Sequence, residues 1–217
     1  MWIFKNKNHP KQTRKEEIAN TISHGAGALA AIVAAPFLIY YAVHYGDALI
    51  ITGVSIFIVS VFLLYLSSTL YHGLSDGKAK DVFQVLDHVA IFILIAGTYT
   101  PFTVGILQGA FGWFLLILIW LMAITGITLR LWLGKSNMRI FVILYLLMGW
   151  TIIIGIKPLL ENMELAGLLW IAVGGAAYTL GVIFYLLPRR MYTHFVWHLF
   201  VLAGTTSHFM AVMFYSF

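Results

Sequence analysis

Seven long apolar segments, separated by short polar connections, constrain this chain more than any other feature. They cover approximately residues 18–43, 48–71, 85–107, 111–129, 140–156, 165–187 and 192–214. A continuous apolar run of about 20 residues can cross the hydrocarbon core of a bilayer as a helix, whereas strands of a membrane β-barrel are shorter and alternate in polarity. The sequence therefore predicts an all-α membrane protein of the cell membrane. We expect a polar basic segment, 1–17, followed by a seven-transmembrane-helix bundle, 18–217.

Composition supports a membrane domain and excludes several other classes. Only 10% of the residues are charged, against about 25% in soluble domains. The net charge of +5 does not indicate nucleic-acid binding, because the basic residues lie between apolar segments and form no basic face. The chain has no cysteine, which excludes disulfides and thiolate metal sites. The expected partners are membrane lipids, and the sequence specifies no protein partner.

The basic residues predict how the bundle is oriented. With seven spans, the N-terminal segment and the second, fourth and sixth connections share one side of the membrane. Lys157 is the one basic residue on the other side. Because cytoplasmic connections carry the excess of lysine and arginine, we expect a cytoplasmic N-terminus and an extracytoplasmic C-terminus. The residues on the cytoplasmic side are Lys5, Lys7, Lys11, Arg14, Lys15, Lys78, Lys80, Arg130, Lys135, Arg139, Arg189 and Arg190.

Polar side chains gather at the cytoplasmic ends of four predicted helices. Ionisable residues inside membrane helices are costly and are functional candidates by default. The first, third and seventh helices begin on the side where the second ends, so these groups lie within about two helical turns of one membrane face. They are Glu17, Asn20 and His24 on the first helix, Ser68 and His72 on the second, Asp87 and His88 on the third, and His194 and His198 on the seventh.

Three of these histidines predict a zinc site. His194 and His198 are four residues apart and share one face of a helix, and His72 would supply a third nitrogen. Three histidines and a water form an open tetrahedral zinc site of the catalytic type. Ser68 lies one turn before His72. Asp87 is expected to hold the site water or to orient an imidazole.

The remaining polar residues have less specific interpretations. His208 is about 21 Å deeper along its helix than His194 and is expected to pack, and His88 points away from Asp87 and is expected to contact another helix. His24 either packs, or supports the site, or closes it as a fourth ligand. Glu17 is either a favourable charge in the first helical turn or part of the polar network.

Five short motifs follow one another along the chain: Glu17-x-x-Asn20-x-x-x-His24, Ser68-x-x-x-His72, Leu86-Asp87-His88, Gly97-Thr98-Tyr99-Thr100-Pro101, and His194-x-x-x-His198 with His208 ten residues further on. In their order and helix placement the chain resembles the hemolysin III family, the bacterial branch of the progestin and adiponectin receptor superfamily. The resemblance implies seven helices, a cytoplasmic N-terminus, and zinc held by His72, His194 and His198 with Ser68 and Asp87 nearby. Related families include the alkaline ceramidases, which are amide hydrolases.

Three functions are compatible with these features. The first is a zinc-dependent hydrolase acting on a lipid amide or ester, with Asp87 as general base or proton shuttle and Ser68 stabilising the oxyanion or holding the site water. The second is a membrane-damaging, hemolysin-like protein, although no span carries the regular polar stripe of a pore. The third is a sensor or receptor with structural zinc and a lipid ligand. All three stay open here, because one fold can host receptors and enzymes.

The predicted orientation can be tested with reporter fusions. Alkaline phosphatase, which is active only outside the cytoplasm, should be active when it is fused after Phe217. A fluorescent protein that folds only in the cytoplasm should be dark at the same position. The opposite pair of results would contradict the seven-span topology with a cytoplasmic N-terminus.

Overall fold

A computed structural model describes residues 12–134, 138–187 and 190–217. Within these ranges seven helical segments are long and apolar enough to cross a membrane, so the chain is a multi-pass membrane protein and the predicted number of spans is confirmed. The helices are α1 Arg14–Tyr45, α2 Ala48–Gly73, α3 Lys78–Val104, α4 Gly109–Leu133, α5 Met138–Trp150, α6 Ile156–Asn162, α7 Leu165–Leu186 and α8 Thr193–Tyr215, and a 3₁₀ turn, Thr151–Gly155, joins α5 to α6.

Part of the predicted N-terminal segment and some of the residues used for the orientation fall outside this description. Residues 1–11, which include Lys5, Lys7 and Lys11, are not among the described residues, and neither are Lys135 and Arg189. The orientation of the bundle stays a prediction from the sequence.

Local capping explains why α1 begins before the apolar run. The backbone N–H of Glu16 donates to the Thr13 hydroxyl at 3.3 Å, and the Thr13 N–H donates back to the Glu16 carboxylate at 2.9 Å. This reciprocal pair satisfies two N–H groups that a helix start leaves unpaired. α1 therefore begins at Arg14, four residues before the predicted span. Glu17 consequently lies in the first turn of a helix and not in a preceding segment.

Three helices form the inner part of the bundle. α2, α3 and α8 are the most buried spans; α2 packs against α1 and α3, α7 packs against α8, and α1 closes against α8. Small residues allow close approach. A Cβ added to Gly97 would collide with Ser60 on α2, and one added to Gly27 would lie 2.8 Å from Leu202 on α8. The three inner helices are the ones that carry the predicted zinc ligands and Asp87.

The fifth span is broken, where the sequence predicted one apolar run over 140–156. α5 gives way to the 3₁₀ turn at Thr151, and α6 continues the span to Asn162. Pro158 lies in the first turn of α6, where its missing N–H is tolerated. At the end of α5 the Tyr99 hydroxyl approaches the carbonyls of Met148 and Gly149 at 3.0 and 2.7 Å, so a side chain of α3 satisfies backbone groups next to the break.

The packing of α7 on α8 yields a test of the fold with a control in the adjacent residue. A Cβ at Gly174 would collide with the His208 ring, whereas nothing lies within 4 Å of a Cβ at Gly175. We expect Gly174→Ala to destabilise the protein by about 1–3 kcal/mol through overpacking. Gly175→Ala should be neutral or stabilising by up to about 1 kcal/mol, because alanine favours helix. Thermal unfolding in detergent measures both, and equal unfolding temperatures would contradict the packing of α7 on α8.

Candidate metal centre

The predicted zinc ligands meet at one end of the bundle. His72 lies in the last turn of α2, and His194 and His198 lie in the first two turns of α8. His72 and His198 are buried and His194 is half-buried. α2 and α8 run so that the end of one meets the start of the other, which brings together residues that are more than 120 positions apart in the sequence.

The distances within this group suit a single metal ion. One ring nitrogen from each of His72, His194 and His198 lies within 4.8 Å of the other two. The Nε2 atoms of His72 and His194 are 3.3 Å apart. Two nitrogens that each lie about 2.0–2.1 Å from a tetrahedral zinc are separated by about 3.3–3.4 Å. The group can therefore hold a metal ion with little rearrangement of these two rings.

Hydrogen bonds from α1 orient two of the rings for metal binding. The Nδ1 atom of His72 lies 2.6 Å from Oε2 of Glu17. Ser23 donates its hydroxyl hydrogen to the Asn20 carbonyl at 2.9 Å, so its oxygen is left to accept from Nδ1 of His198 at 3.1 Å. An Nδ1–H bonded to an oxygen leaves the Nε2 lone pair free for a metal, as is usual for metal-binding histidines. These partners assign the same tautomer to His72 and His198.

A salt bridge holds the Glu17 carboxylate in place. Lys80, at the start of α3, donates to Oε1 of Glu17 at 2.9 Å and to the Leu74 carbonyl at 3.2 Å. Glu17 therefore joins α1, α2 and α3 while its other oxygen holds His72. Both interpretations that the sequence left open for Glu17 therefore apply: it is an acidic residue in the first turn of α1 and a member of the polar network.

The two other predicted site residues lie beside the metal group and not in it. Within the described residues, no Asp or Glu oxygen joins the three nitrogens. Asp87 is buried on α3 with Ser68, His72 and Arg130 as its polar neighbours. The Ser68 hydroxyl is buried near this carboxyl but makes no hydrogen bond of acceptable geometry within the described residues.

The remaining histidines of the spans have distinct environments. His24 stacks in parallel on His198, with the ring centroids 3.6 Å apart, and its nitrogens are not part of the metal group. His208 bonds to the Gly204 carbonyl at 2.8 Å and stacks on Tyr178, as expected for a packing residue.

His88 contacts another helix, as predicted, and its partner is Arg130, an arginine that the sequence assigned to a connection. Nδ1 of His88 accepts hydrogen bonds from Arg130, the closer guanidinium nitrogen being 2.8 Å away. Arg130 was counted as a residue of a cytoplasmic connection, but α4 extends to Leu133 and the Arg130 side chain is 1% exposed. Arg130 also donates to the Gly134 carbonyl at 2.6 Å, and its guanidinium lies over the Phe141 ring. Burial of this arginine ties α4 to α3 next to Asp87.

Two contributors to the site were missed or left open by the sequence interpretation. Glu17 lies two turns before His24 on the same helix, and this spacing could have assigned it to the inner face of α1. Ser23 gave no usable signal, because serine is common in membrane helices as a small packing residue. Only the meeting of α1 with α8 reveals that it bonds to His198.

Comparison with known proteins identifies the family of this chain. A profile of the family described as "Haemolysin-III related" matches residues 12–209. "Hemolysin-3 homolog" of Bacillus subtilis (strain 168) is 45% identical over 203 residues, which cover 94% of this chain and 95% of that protein. "Hemolysin-3" of Bacillus cereus is 44% identical over 201 residues, covering 93% and 92%.

A human protein is also similar. "Monocyte to macrophage differentiation factor" of Homo sapiens is 30% identical over 163 residues, which cover 69% of this chain and 64% of that protein. No solved structure matches the chain.

Metal analysis of purified variants tests the group. We expect one metal ion per chain, and we expect His72→Ala, His194→Ala or His198→Ala each to lose most of it, because two imidazoles make a weak site. Asp87→Ala should weaken binding less, by roughly 10–100-fold, as for an outer partner. Elemental analysis after dialysis measures the metal content. Full retention in the double variant His194→Ala, His198→Ala would contradict this ligand set.

Proposed function

Since the chain belongs to the Haemolysin-III related family, we propose that its three-histidine group holds zinc and hydrolyses an amide or ester bond of a membrane lipid. The observation that carries the proposal is the number of protein ligands in the group. Three ring nitrogens converge, and within the described residues no fourth histidine, Asp or Glu joins them. Structural zinc sites are usually closed by four protein ligands, whereas catalytic sites have three and leave a position for water or substrate.

The donor set favours zinc among the divalent metals. Imidazole nitrogen is a common ligand of zinc, while calcium and magnesium take oxygen ligands. Copper, nickel and iron also bind imidazole, but square-planar and octahedral sites need more donors than a three-nitrogen group supplies. The 3.3 Å separation of the His72 and His194 nitrogens agrees with tetrahedral coordination. The Glu17 and Ser23 contacts further support a pre-oriented site.

In the proposed reaction one water adds across the acyl C–N or C–O bond, giving a carboxylic acid and an amine or alcohol. Zinc, when bound, would polarise the carbonyl and make water more acidic. Asp87 would take a proton from the attacking water and return it to the leaving nitrogen or oxygen. Ser68 would donate its hydroxyl hydrogen to the carbonyl oxygen as negative charge develops there. Both residues border the metal group without belonging to it.

The depth of the group suits a lipid substrate. His72 precedes the end of α2 by one residue, and His194 is the second residue of α8. The group therefore lies about one turn inside the bundle, near the level where lipid carbonyls meet the headgroups. The distribution of basic residues supports a cytoplasmic location for this end of the bundle. We therefore assign the site to the inner leaflet.

The polar network at this end would restrict access of water from the cytoplasm. Lys80 and Glu17 bridge α3 and α1 over His72. The Tyr192 backbone N–H, just before α8, donates to Oε1 of Glu16 at 2.9 Å. These contacts link the starts of α1 and α8 on the surface side of the histidines. The lipid would then approach from the side, through the membrane.

Membrane damage is the second candidate, supported by the name "Hemolysin-3" of a relative that is 44% identical. Lysis could follow from lipid products as well as from a direct action on the bilayer. A sensor with a structural metal is the third candidate. These three functions predict different effects of a chelator on lipid hydrolysis and on membrane damage.

Hydrolysis can be tested directly with purified protein of known zinc content. Ceramides, other N-acyl lipids and phospholipids are incubated with the protein with and without chelator, and the released fatty acid is measured. Chelation should abolish activity. Asp87→Asn should lower the rate by about 10²–10⁴-fold, the usual contribution of a general base, while it still holds zinc.

A matched carboxylate variant separates this effect from folding. Glu161, on α6, is exposed and is paired with Lys157 at 3.9 Å, so Glu161→Gln should leave hydrolysis unchanged. Full zinc occupancy with no cleavage of any lipid in the panel would reject the hydrolase in favour of a sensor. Leakage of dye from vesicles that persists in chelator would instead favour direct membrane damage.

A further inference from the structure

Besides Asn20 and Ser68, two buried side chains at this end of the bundle have polar atoms that make no hydrogen bond of acceptable geometry with a described residue. They are both ring nitrogens of His24 on α1 and the hydroxyl of Tyr65 on α2. Both side chains are 3% exposed. A buried polar atom without a hydrogen bond is costly, and few are found in native proteins. Two neighbouring side chains with three such atoms therefore indicate a bound group.

The two side chains adjoin each other and the metal group. The His24 ring lies flat on His198 and meets the Tyr65 ring edge-on, with centroids 5.0 Å apart. Tyr65 is seven residues before His72 on α2, which places it about 10 Å further into the membrane. The Tyr65 hydroxyl is close to that of Thr205, without a hydrogen bond of acceptable geometry between them, and Thr205 instead bonds to Tyr178 at 2.8 Å. The pair thus extends the polar region from the metal group toward the membrane interior.

The chemistry of the pair suits a neutral partner. A neutral imidazole offers one donor and one acceptor, and a phenol can do either. The nearby cations already have protein acceptors: Lys80 bonds to Glu17, and Arg130 bonds to His88 and Gly134. A phosphate would meet no cation at this position. A hydroxyl group donates and accepts hydrogen bonds without charge, which matches the hydrogen-bonding capacity of the Tyr65 hydroxyl and of one His24 nitrogen.

We propose that His24 and Tyr65 form a second binding site, on the membrane-interior side of the metal group, for a neutral hydroxyl group. The hydroxyl belongs either to an ordered water or to a lipid that carries a hydroxyl near its acyl carbonyl. The lipid source rests on the proposed function, since it places the hydroxyl of a substrate beside the reacting bond. The water source is independent of any hydrolysis.

The first test measures whether Tyr65→Phe lowers or raises the unfolding temperature of zinc-loaded protein in the absence of lipid. Tyr65→Phe removes only the hydroxyl. If an ordered water occupies the site, the variant should unfold at a lower temperature, because a satisfied hydrogen bond is lost. Tyr99→Phe serves as the control, since its hydroxyl contacts the Met148 and Gly149 carbonyls and its loss should lower the unfolding temperature in any case. A hydroxyl without a partner would give an unchanged or higher temperature for Tyr65→Phe.

The second test distinguishes a lipid hydroxyl from water. The dissociation constants of two non-hydrolysable N-acyl lipid analogues, one with a hydroxyl next to the acyl group and one without, are measured for wild type, Tyr65→Phe and His24→Phe. His24→Phe keeps a ring that can stack on His198 and removes both nitrogens. A lipid hydroxyl predicts that both variants lose about five-fold in affinity for the hydroxylated analogue alone.

The outcomes decide the proposal without reference to activity. A lower unfolding temperature for Tyr65→Phe, with both analogues bound equally by wild type and variants, supports ordered water. Selective loss of the hydroxylated analogue supports the lipid. An unfolding temperature that does not fall, together with equal binding of both analogues by all three proteins, overturns the site. Because no step measures turnover, failure of this site and failure of the hydrolase are separate results.

Discussion

The hydrogen bond between Glu17 and Nδ1 of His72 is the contact on which the rest of the site depends. Inside a bilayer, a polar group must find its partner within the protein, and here the partner comes from another helix. Glu17 on α1 holds His72 on α2 at 2.6 Å and is itself held by Lys80 on α3 at 2.9 Å. The same principle pairs Ser23 with His198 and His88 with Arg130. The polar contacts that orient the metal group thus also fix α1 against α2, α3 and α8.

Much of this architecture could be predicted because the membrane restricts the possible structures. Apolar runs of sufficient length fix the number of spans, and topology then fixes which helix ends share a face. That reasoning brought His72 on α2 together with His194 and His198 on α8, although α3 to α7 separate them in sequence. Hydropathy fails where the structure depends on side-chain partners. It counted Arg130 as a connection residue, because a buried arginine is costly unless a group such as His88 accepts its hydrogen bonds.

The same limit explains the other differences. Hydropathy detects the apolar part of α3 and not its polar first turns, so the helix begins at Lys78 and not near residue 85. It also predicts one unbroken span over 140–156, because the hydrogen bonds from Tyr99 that accommodate the break come from another helix. Ser23 could not be assigned for a similar reason. Its role arises from the packing of α1 on α8, which no local pattern encodes.

The proposed hydrolase requires the metal group to keep an open position, whereas a structural zinc site would have a fourth protein ligand. His24 is the residue that could close the group as a fourth ligand. Its ring lies flat on His198, and it is not among the three converging histidines.

X-ray absorption at the zinc edge, on protein loaded with one equivalent of zinc, tests this central point most directly. Three imidazole nitrogens and one oxygen at about 2.0–2.1 Å from the metal are expected for the open site. Four imidazole nitrogens, with one lost in His24→Phe, would contradict it and would make the zinc structural.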